Sequence, residues 1–341
     1  MTTALEAVVA GRRSRARRRV LLTTGIGVAV FAAFAVTLMI GNTFYSPDEV
    51  VRVILGQRVP GASFTVGELR LPRAATGVLV GFAFGLAGAS FQTMLRNPLA
   101  SPDILGLSNG AFTGMLVALV LVSSSWQSLT VGALIGGVAT SVVIWVLSYR
   151  GGIQGFRLIV IGIGVAAMLA SFNTWMLLQI ELETAMFASA WGTGTLNAVT
   201  AGSLGGALLS AAPFVLVATV LGPSLRQLDL GDDVAAASGA RPNLVRGIAL
   251  VVGVALVAAA TSVAGPIAFV SLAAPQVARF VARTPHLSLG LSAVFGAVIL
   301  LASDLVAQHL LPVALPVGVV TVSVGGAYLV LMIVLEIRRR A

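Results

Sequence analysis

The sequence predicts an all-α polytopic membrane protein with about ten transmembrane helices. Hydrophobic residues make up 57% of its 341 positions, charged residues make up only 10%, and the mean hydropathy is +1.01. Soluble domains carry roughly 45–50% apolar and about 25% charged residues, so much of this surface must face lipid. Apolar runs of about 20 residues, the length that crosses a bilayer, recur along the chain.

Ten apolar segments are candidate spans. They are residues 20–41, 70–95, 107–123, 129–149, 157–179, 203–222, 246–264, 274–284, 287–307 and 316–337. The segment at 274–284 is too short to cross alone, so we expect it to work with the preceding stretch 265–273. The chain then divides into an Arg-rich cytoplasmic tail (1–19), one transmembrane domain (20–337) and a short cytoplasmic tail (338–341).

Basic residues indicate the orientation of these spans. All 21 are arginine, and with 12 acids they give a formal net charge of +9. If the N-terminus is cytoplasmic, seventeen arginines fall on the cytoplasmic side and four outside, namely Arg52, Arg58, Arg70 and Arg73. Because cytoplasmic loops of membrane proteins are enriched in basic residues, both termini are predicted to be cytoplasmic. The arginine clusters flank apolar runs, so no nucleic-acid partner is expected.

The composition excludes several classes of chemistry. There is no cysteine, no lysine and only two histidines, so we predict no catalytic site, no metal site and no cofactor bound by this chain. A P-loop needs a lysine for the nucleotide phosphates, so ATP hydrolysis would have to occur in a different chain. The acids fall near span ends or in loops, which disfavours an ion-coupled secondary transporter, the alternative class.

Two polar or interrupted segments near the second span stand out. Residues 69–73 read L-R-L-P-R, and their two arginines oppose the topological bias, which favours a docking point for an acidic external partner over simple snorkelling. Residues 96–111 contain two prolines and two glycines. Irregular backbone at membrane depth is tolerated inside protein or along a cavity, which favours a pathway element over an ordinary turn.

Three further segments lie in the second half of the chain. Residues 223–246 predict a short cytoplasmic helix, capped by Asp232 or Asp233 and ending at Gly239, that fits a groove on a partner protein. Prolines 266 and 275 interrupt residues 265–283, which predicts a re-entrant piece followed by a short helix. Asp304 is either functional or hydrogen-bonded to the turn at 316–318.

Together these segments resemble the FecCD family, the permease subunits of type II ABC importers for iron–siderophore, haem and cobalamin. The resemblance covers about residues 45–337 and is carried by R-L-P-R at 70–73, R-N-P-L-A-S-P-D-I-L-G-L-S-N-G-A at 96–111 and G-P-I-A-F-V at 265–270. It implies the type II ABC importer permease fold, a permease dimer, two ATPase subunits that hold ATP-Mg, and an external substrate-binding protein in a bacterial cytoplasmic (inner) membrane. The chain itself would be a translocation subunit and not an enzyme.

The resemblance also implies roles for individual residues. Arg70 and Arg73 match positions that dock the binding protein, and a third basic position of that surface is here Gln308. The cytoplasmic gate corresponds to Asn97, Pro98, Leu99, Gly155 and Phe156. The short helix that couples to the ATPase corresponds to residues 229–240, with Asp229, Gly231, Asp232, Asp233, Ala236 and Gly239. The external gate corresponds to residues 186–195, around Trp191 and Gly192.

Two departures from the family pattern point to a cargo. The usual Pro-His is Pro275-Gln276 here, and the usual Gly-x-Pro near the last span is G-G-A-Y at 325–328. With G-D-D at 231–233, they resemble the ferric-enterobactin-type branch. That branch implies a ferric siderophore as cargo and favours a heterodimer with a second permease over a homodimer. Haem or cobalamin carried by the same architecture remains an alternative, and the sequence does not specify the chelate.

Overall fold

The structure is a computed structural model that describes residues 2–103, 105–149, 155–197, 199–284, 286–310 and 313–340. Within these residues the chain forms thirteen α-helices and one π-helical segment, and contains no strand. The helices are α1 (Thr2–Met39), α2 (Pro47–Ile54), α3 (Leu71–Leu95), α4 (Leu107–Leu121), α5 (Trp126–Ser148), α6 (Gly155–Leu177), α7 (Leu182–Gly192), α8 (Ala201–Leu228), α9 (Asp232–Ala237), α10 (Pro242–Ala264), α11 (Val270–Ala282), α12 (Leu289–His309) and α13 (Val317–Arg340). The π-helical segment, Ser63–Arg70, leads directly into α3.

All ten predicted spans are helical, which confirms the all-α membrane fold. Seven helical segments are long and apolar enough to cross a bilayer, and α4, α11 and the first part of α13 are shorter apolar helices. Helices α2, α7 and α9 lie in the polar stretches between spans. The helix does not end at residue 19, where we predicted the boundary between the cytoplasmic tail and the transmembrane domain. Helix α1 runs without a break through the Arg-rich segment and the first span.

Helices α3 and α10 form the centre of the bundle. In each, 78% of the most apolar 18-residue window is buried, against 17% in α6 and α8. Glycines let α3 approach its neighbours closely, as small residues commonly do in membranes. A methyl group on Gly81 would lie 2.8 Å from the Cα atom of Ala297 in α12, and one on Gly85 would overlap the carbonyl of Ser292. Gly81 and Gly85 therefore allow α3 to pack directly against the backbone of α12.

The predicted break after the seventh span is present, but it is shorter than expected. Non-helical backbone covers residues 265–269, and helix α11 begins at Val270. Gly265 and Phe269, at the two ends of this break, both have a positive φ of +69°. Pro275 lies inside α11 and has no N–H for the Ser271 carbonyl. That carbonyl instead lies against the backbone of Gly88 in α3, where a side chain would exclude it.

Candidate functional site

Arg70 closes the end of the first span. Its Nη1 donates to the carbonyls of Leu38 and Met39 at 2.9 and 3.0 Å, and its Nη2 donates to Thr43 at 2.7 Å. The guanidinium also lies over the ring of Tyr45, 5.2 Å from its centroid. The last carbonyls of a helix lack intrahelical donors, so Arg70 satisfies the C-terminal end of α1. Whether it also docks a partner stays a prediction.

Arg73 pairs with the buried acid of the ninth predicted span. Its Nε and Nη2 donate to the two carboxylate oxygens of Asp304 at 2.8 and 2.6 Å, and its Nη1 donates to Asn197 Oδ1 at 2.6 Å. Asp304 is only 2% exposed. The hydrogen bond predicted from Asp304 to the turn at 316–318 is wrong, because its carboxylate bonds to Arg73, while a functional role for Asp304 stays a prediction.

Asn197 is hydrogen-bonded to two of the three predicted docking residues. Its Oδ1 accepts from Arg73 and, at 3.3 Å, from Nε2 of Gln308, which also donates weakly to the Leu315 carbonyl. Arg70 instead contacts α1 and the residues after it. Sequence reasoning missed Asn197, whose signal was a polar residue two positions after the predicted external gate at 186–195.

The predicted external gate lies between the end of α10 and the start of α13. Trp191 is 4% exposed and stacks on Phe112, with ring centroids 6.2 Å apart. A methyl group on Gly192 would lie 2.7 Å from the Phe112 ring. The backbone that follows α7 forms hydrogen bonds to the end of α10 and to the start of α13. These bonds are Thr195 N–H to the Ala264 carbonyl at 2.7 Å and Gly318 N–H to the Gly194 carbonyl at 3.0 Å.

The predicted cytoplasmic gate begins where α3 stops. Arg96 ends the helix in a left-handed conformation, with φ of +49°. Asn97 Oδ1 then accepts the N–H of Leu99 at 2.9 Å, a side-chain turn that asparagine favours. This turn leaves Leu99 48% exposed and Pro98 exposed. The sequence predicts Asn97 as a gate residue, and in the structure Asn97 shapes the loop that carries Leu99.

A network of buried polar side chains is hydrogen-bonded to this loop. Gln276, one of the departures from the family pattern, donates from Nε2 to Gln92 Oε1 at 2.5 Å and to the Pro98 carbonyl at 3.4 Å. Gln92 in turn donates to the Leu272 carbonyl at 3.1 Å. Buried polar groups need such partners. The network therefore joins α3 and α11 to the loop of Asn97, Pro98 and Leu99, which we call the gate loop. Gln92 was missed because it lies within an apolar span, in the last turn of α3.

Asp103 fastens the other end of the interrupted segment. Its carboxylate accepts the Ser271 hydroxyl at 2.7 Å and the Ser108 hydroxyl at 2.9 Å. Ser271 lies in the first turn of α11, where the helix dipole favours a negative charge. The segment predicted as a pathway element is thus attached to the start of α11.

The second part of the predicted gate precedes the fifth span. Helix α6 begins at Gly155, and Phe156 is 83% exposed, so the residues that the structure describes leave most of its ring uncovered. Residues 150–154, which lead into this position, lie outside the described residues. An aromatic ring left this exposed is available to a second subunit or to the transport pathway.

The predicted coupling helix α9 is anchored by Asp232. The carboxylate accepts from Nη1 and Nη2 of Arg246 in α10 at 2.8 and 2.7 Å, and from Nη2 of Arg96 at the end of α3. These hydrogen bonds from Arg246, followed by the charge of Arg246 and then of Arg96, hold the pKa of Asp232 below its ordinary value. Arg96 also donates from Nε to the Leu228 carbonyl at 3.0 Å.

The ends of α9 differ partly from the prediction. The N-cap is Gly231, with φ of +109°, and neither Asp232 nor Asp233 caps the helix, because both lie in its first turn. The C-terminal end is as predicted. Gly239, with φ of +89°, donates to the Ala236 carbonyl, and Ala240 donates to Ala235, which together form a Schellman motif. Asp229 ends α8, and burial raises the pKa of its carboxyl.

The geometry thus connects the predicted coupling helix to the predicted cytoplasmic gate. Arg96 is bonded to Asp232 in α9, and it is followed directly by Asn97 of the gate loop. Next to this connection apolar surface is exposed at Val234 in α9 and at Leu230 in the turn before it. An exposed apolar patch of this kind is typical of a contact with a partner protein.

Comparison with protein families decides the family. The FecCD transport family model matches residues 28–335. The chain belongs to the FecCD transport family. Its resemblance to the ferric-enterobactin-type branch is also confirmed, because the chain is 41% identical to the ferric enterobactin transport system permease protein FepG of Escherichia coli, over 95% of this chain and 98% of that protein.

Other FecCD-type relatives extend the match. The chain is 32% identical to the achromobactin transport system permease protein CbrC of Dickeya dadantii, over 97% of each chain. It is 30% identical to FepD, a second ferric enterobactin transport system permease protein of Escherichia coli, over 92% of this chain and 95% of that protein. A metal-chelate type ABC transporter solved in an inward-facing conformation has the same fold, with TM-score 0.81, 22% identity and coverage of 92% and 98%.

Proposed function

We propose that this FecCD-family chain is the permease subunit of an ATP-driven importer that carries a ferric siderophore across a bacterial inner membrane. The observation that carries the proposal is the Arg96 connection, in which one side chain joins the coupling helix to the gate loop. A subunit that receives its energy from another chain needs such a connection. The chain itself performs no covalent chemistry.

The partners follow from the family and from the chain's surface. A second permease would complete the pathway. Two ferric enterobactin permeases, FepG and FepD, are both similar to this chain, which favours a heterodimer. Two ATPase subunits, holding ATP-Mg, would contact α9 through Leu230 and Val234. A substrate-binding protein would dock outside on the surface of Arg70, Arg73 and Gln308.

Transport then rests on two states of one bundle. ATP binding in the partner would favour one position of α9, and Arg96 would pass that displacement to the loop carrying Leu99. The Gly194 segment, bonded to α10 and α13, would respond at the other face. A ligand shifts such an equilibrium only by its different affinity for the two states. The binding protein and ATP would therefore act by preferring different states.

An ion-coupled secondary transporter is disfavoured by the partners of the buried acids. Asp304 is paired with Arg73, and Asp103 accepts two hydroxyl hydrogen bonds. Within the described ranges no group of three His, Asp or Glu residues could hold a metal ion. Haem or cobalamin as the cargo would require the same architecture, so only cargo competition separates these from a siderophore.

Reconstitution tests the proposal directly. Proteoliposomes that contain this chain, a second permease and the ATPase, with binding protein and radioactive ferric siderophore outside, should accumulate iron only when ATP is inside. Uptake that persists without ATP would contradict the importer mechanism. Haem or cobalamin that outcompetes the siderophore would change the proposed cargo.

Variants of α9 separate docking from coupling. V234D places a charge on the apolar face and should abolish ATPase association. D232N leaves that face intact but weakens the bonds to Arg96 and Arg246, so we expect association to persist while iron imported per ATP hydrolysed falls severalfold. D233N is the matched control, because no ion pair among the described residues reaches Asp233. Equal uptake per ATP in D232N and D233N would refute the coupling route.

A further inference from the structure

The first helix continues without a break from its apolar part into the Arg-rich segment. It has 38 residues, which corresponds to about 57 Å at about 1.5 Å per residue. Its apolar part, Val20–Met39, has 20 residues and so spans about 30 Å, the thickness of a bilayer's hydrocarbon core. The helical turns directly before Val20 therefore lie at the level of the lipid headgroups.

Those turns carry a dense set of arginines. Six of the eight residues from 12 to 19 are arginine, at positions 12, 13, 15, 17, 18 and 19. Because successive residues of a helix rotate by about 100°, these positions are distributed around the whole helix. The nearest four lie within about 8 Å of the end of the span, which matches a headgroup layer of about 5–8 Å. We call this segment the arginine collar.

A second helix adds charge beside the collar. Near its apolar start, α1 packs through Leu22 and Ile26 against Ala278 and Ala282 of α11 and against Leu291 of α12. Each of these two alanines is followed by an arginine, Arg279 in α11 and Arg283 directly after its last residue, and Arg283 is exposed. The bundle thus places two further arginines near the same end of α1, which the sequence alone does not reveal.

Few acids neutralise this region. Glu6 is the only acid among residues 1–47 of the sequence. In the described part of the chain, no ion pair reaches Arg17, Arg279 or Arg283. Like charges three or four residues apart destabilise a helix, and yet α1 is helical throughout this segment. Among the described residues Arg17, Arg279 and Arg283 therefore form no ion pair, and an external anion can supply the partner.

We propose that the arginine collar, together with Arg279 and Arg283, binds the phosphate groups of anionic phospholipids such as phosphatidylglycerol. Guanidinium groups bind phosphate oxygens through paired hydrogen bonds. The collar lies at headgroup depth, so the phosphate is that of a lipid and not of a soluble anion. Bound lipid would fix the depth of α1 and its contact with α11. This inference does not rest on the proposed transport function.

Native mass spectrometry of the full purified chain tests the proposal. The chain in detergent is titrated with phosphatidylglycerol or with phosphatidylcholine, and the bound lipids are counted. A basic residue near an anionic surface favours binding by about 1 kcal/mol, or about fivefold. We therefore expect phosphatidylglycerol to bind at least about tenfold more tightly than phosphatidylcholine, with a preference that weakens at high salt.

Three variants identify the residues responsible. Replacing the six collar arginines by glutamine should remove most of the preference, whereas replacing them by lysine, which keeps the charge, should retain much of it. R279Q/R283Q should lower the preference severalfold. R52Q/R58Q removes two charges elsewhere and should leave the preference unchanged, as the matched control. Thermal unfolding of each variant checks that the bundle is intact.

Three results would overturn the proposal. The first is an unchanged preference in the six-glutamine variant. The second is an equal loss in R279Q/R283Q and R52Q/R58Q, which would show a response to net charge and not a site. The third is displacement of phosphatidylglycerol by soluble glycerol phosphate at comparable concentration, which would assign the site to a free anion.

Discussion

At the residue scale, the guanidinium of Arg73 stabilises the fold and also belongs to the predicted docking surface. Its fork gives two hydrogen bonds to Asp304 and one to Asn197, which uses three of its five N–H donors. Two donors remain for an external carboxylate. The buried pair also fixes the direction of the fork, which makes Asp304 a positioning residue for the predicted docking surface.

The Arg73–Asp304 pair should show strong coupling. Removing one partner of a buried ion pair leaves an uncompensated charge and costs about 3–5 kcal/mol. We expect D304L and R73M each to lower the free energy of unfolding by about that amount, and the double variant R73M/D304L to recover most of the loss. Unfolding in mixed detergent micelles measures this cycle. Simple additivity of the two losses would contradict a coupled pair.

Asp232 should make the seating of α9 depend on pH. Hydrogen bonds from Arg246 lower the pKa of its carboxyl in the folded protein. A lowered pKa stabilises the folded state above the unfolded pKa of about 3.9, and this stabilisation is lost as the pH falls through the lower folded value. Protection of the α9 amides from hydrogen exchange should therefore be constant from pH 7 to 5 and decrease below about pH 4.

The same experiment has two controls. D232N cannot titrate at this position, so the decrease below about pH 4 should be absent and protection should be low throughout. D233N keeps the ion pairs of Asp232 and should show the wild-type profile. A wild-type profile in D232N would assign the pH dependence to another group.

At the element scale, glycines decide how closely the helices pack. On α3, Gly85 faces the backbone of Ser292, where even a methyl group has no room. On α8, Gly206 has open space around the position of an added methyl group. The hydropathy of a span does not distinguish two such glycines, because their difference depends on which helix lies opposite.

This difference predicts opposite effects of one substitution. G85A must push α3 away from α12 and should lower the free energy of unfolding by about 1–3 kcal/mol, the usual cost of overpacking. G206A should leave it unchanged or raise it by up to about 1 kcal/mol, since alanine is the better helix former. Unfolding of both variants in the same detergent measures this. Equal effects would contradict the packing of α3 on α12.

At the scale of the whole molecule, the distribution of arginines predicts the orientation. The chain has no cysteine, so a single cysteine reports on one side without background. Ser123, between α4 and α5, and Ser238, at the end of α9, are both exposed. In intact cells a membrane-impermeant maleimide should label S123C and not S238C, and permeabilised cells should label both. The reverse pattern would place the termini outside.

The sequence predicted the architecture well and the site only in part. It located ten helices, the break near residue 265 and the end of α9 at Gly239, because each depends on a local signal such as apolar length, proline or glycine. It did not predict the partner of Asp304, the role of Asn197 or the network of Gln92 and Gln276. Each of these joins residues more than a hundred positions apart in the chain.

The sequence by itself determined that this chain spans the membrane about ten times and belongs with the FecCD permeases, since hydropathy and short motifs are properties of contiguous residues. Only the tertiary structure decided what the charged residues near the gates do. Arg70 completes α1, Arg73 neutralises Asp304, and Arg96 joins α9 to the gate loop. A charge at membrane depth needs a partner, and which partner it finds depends on how the helices pack.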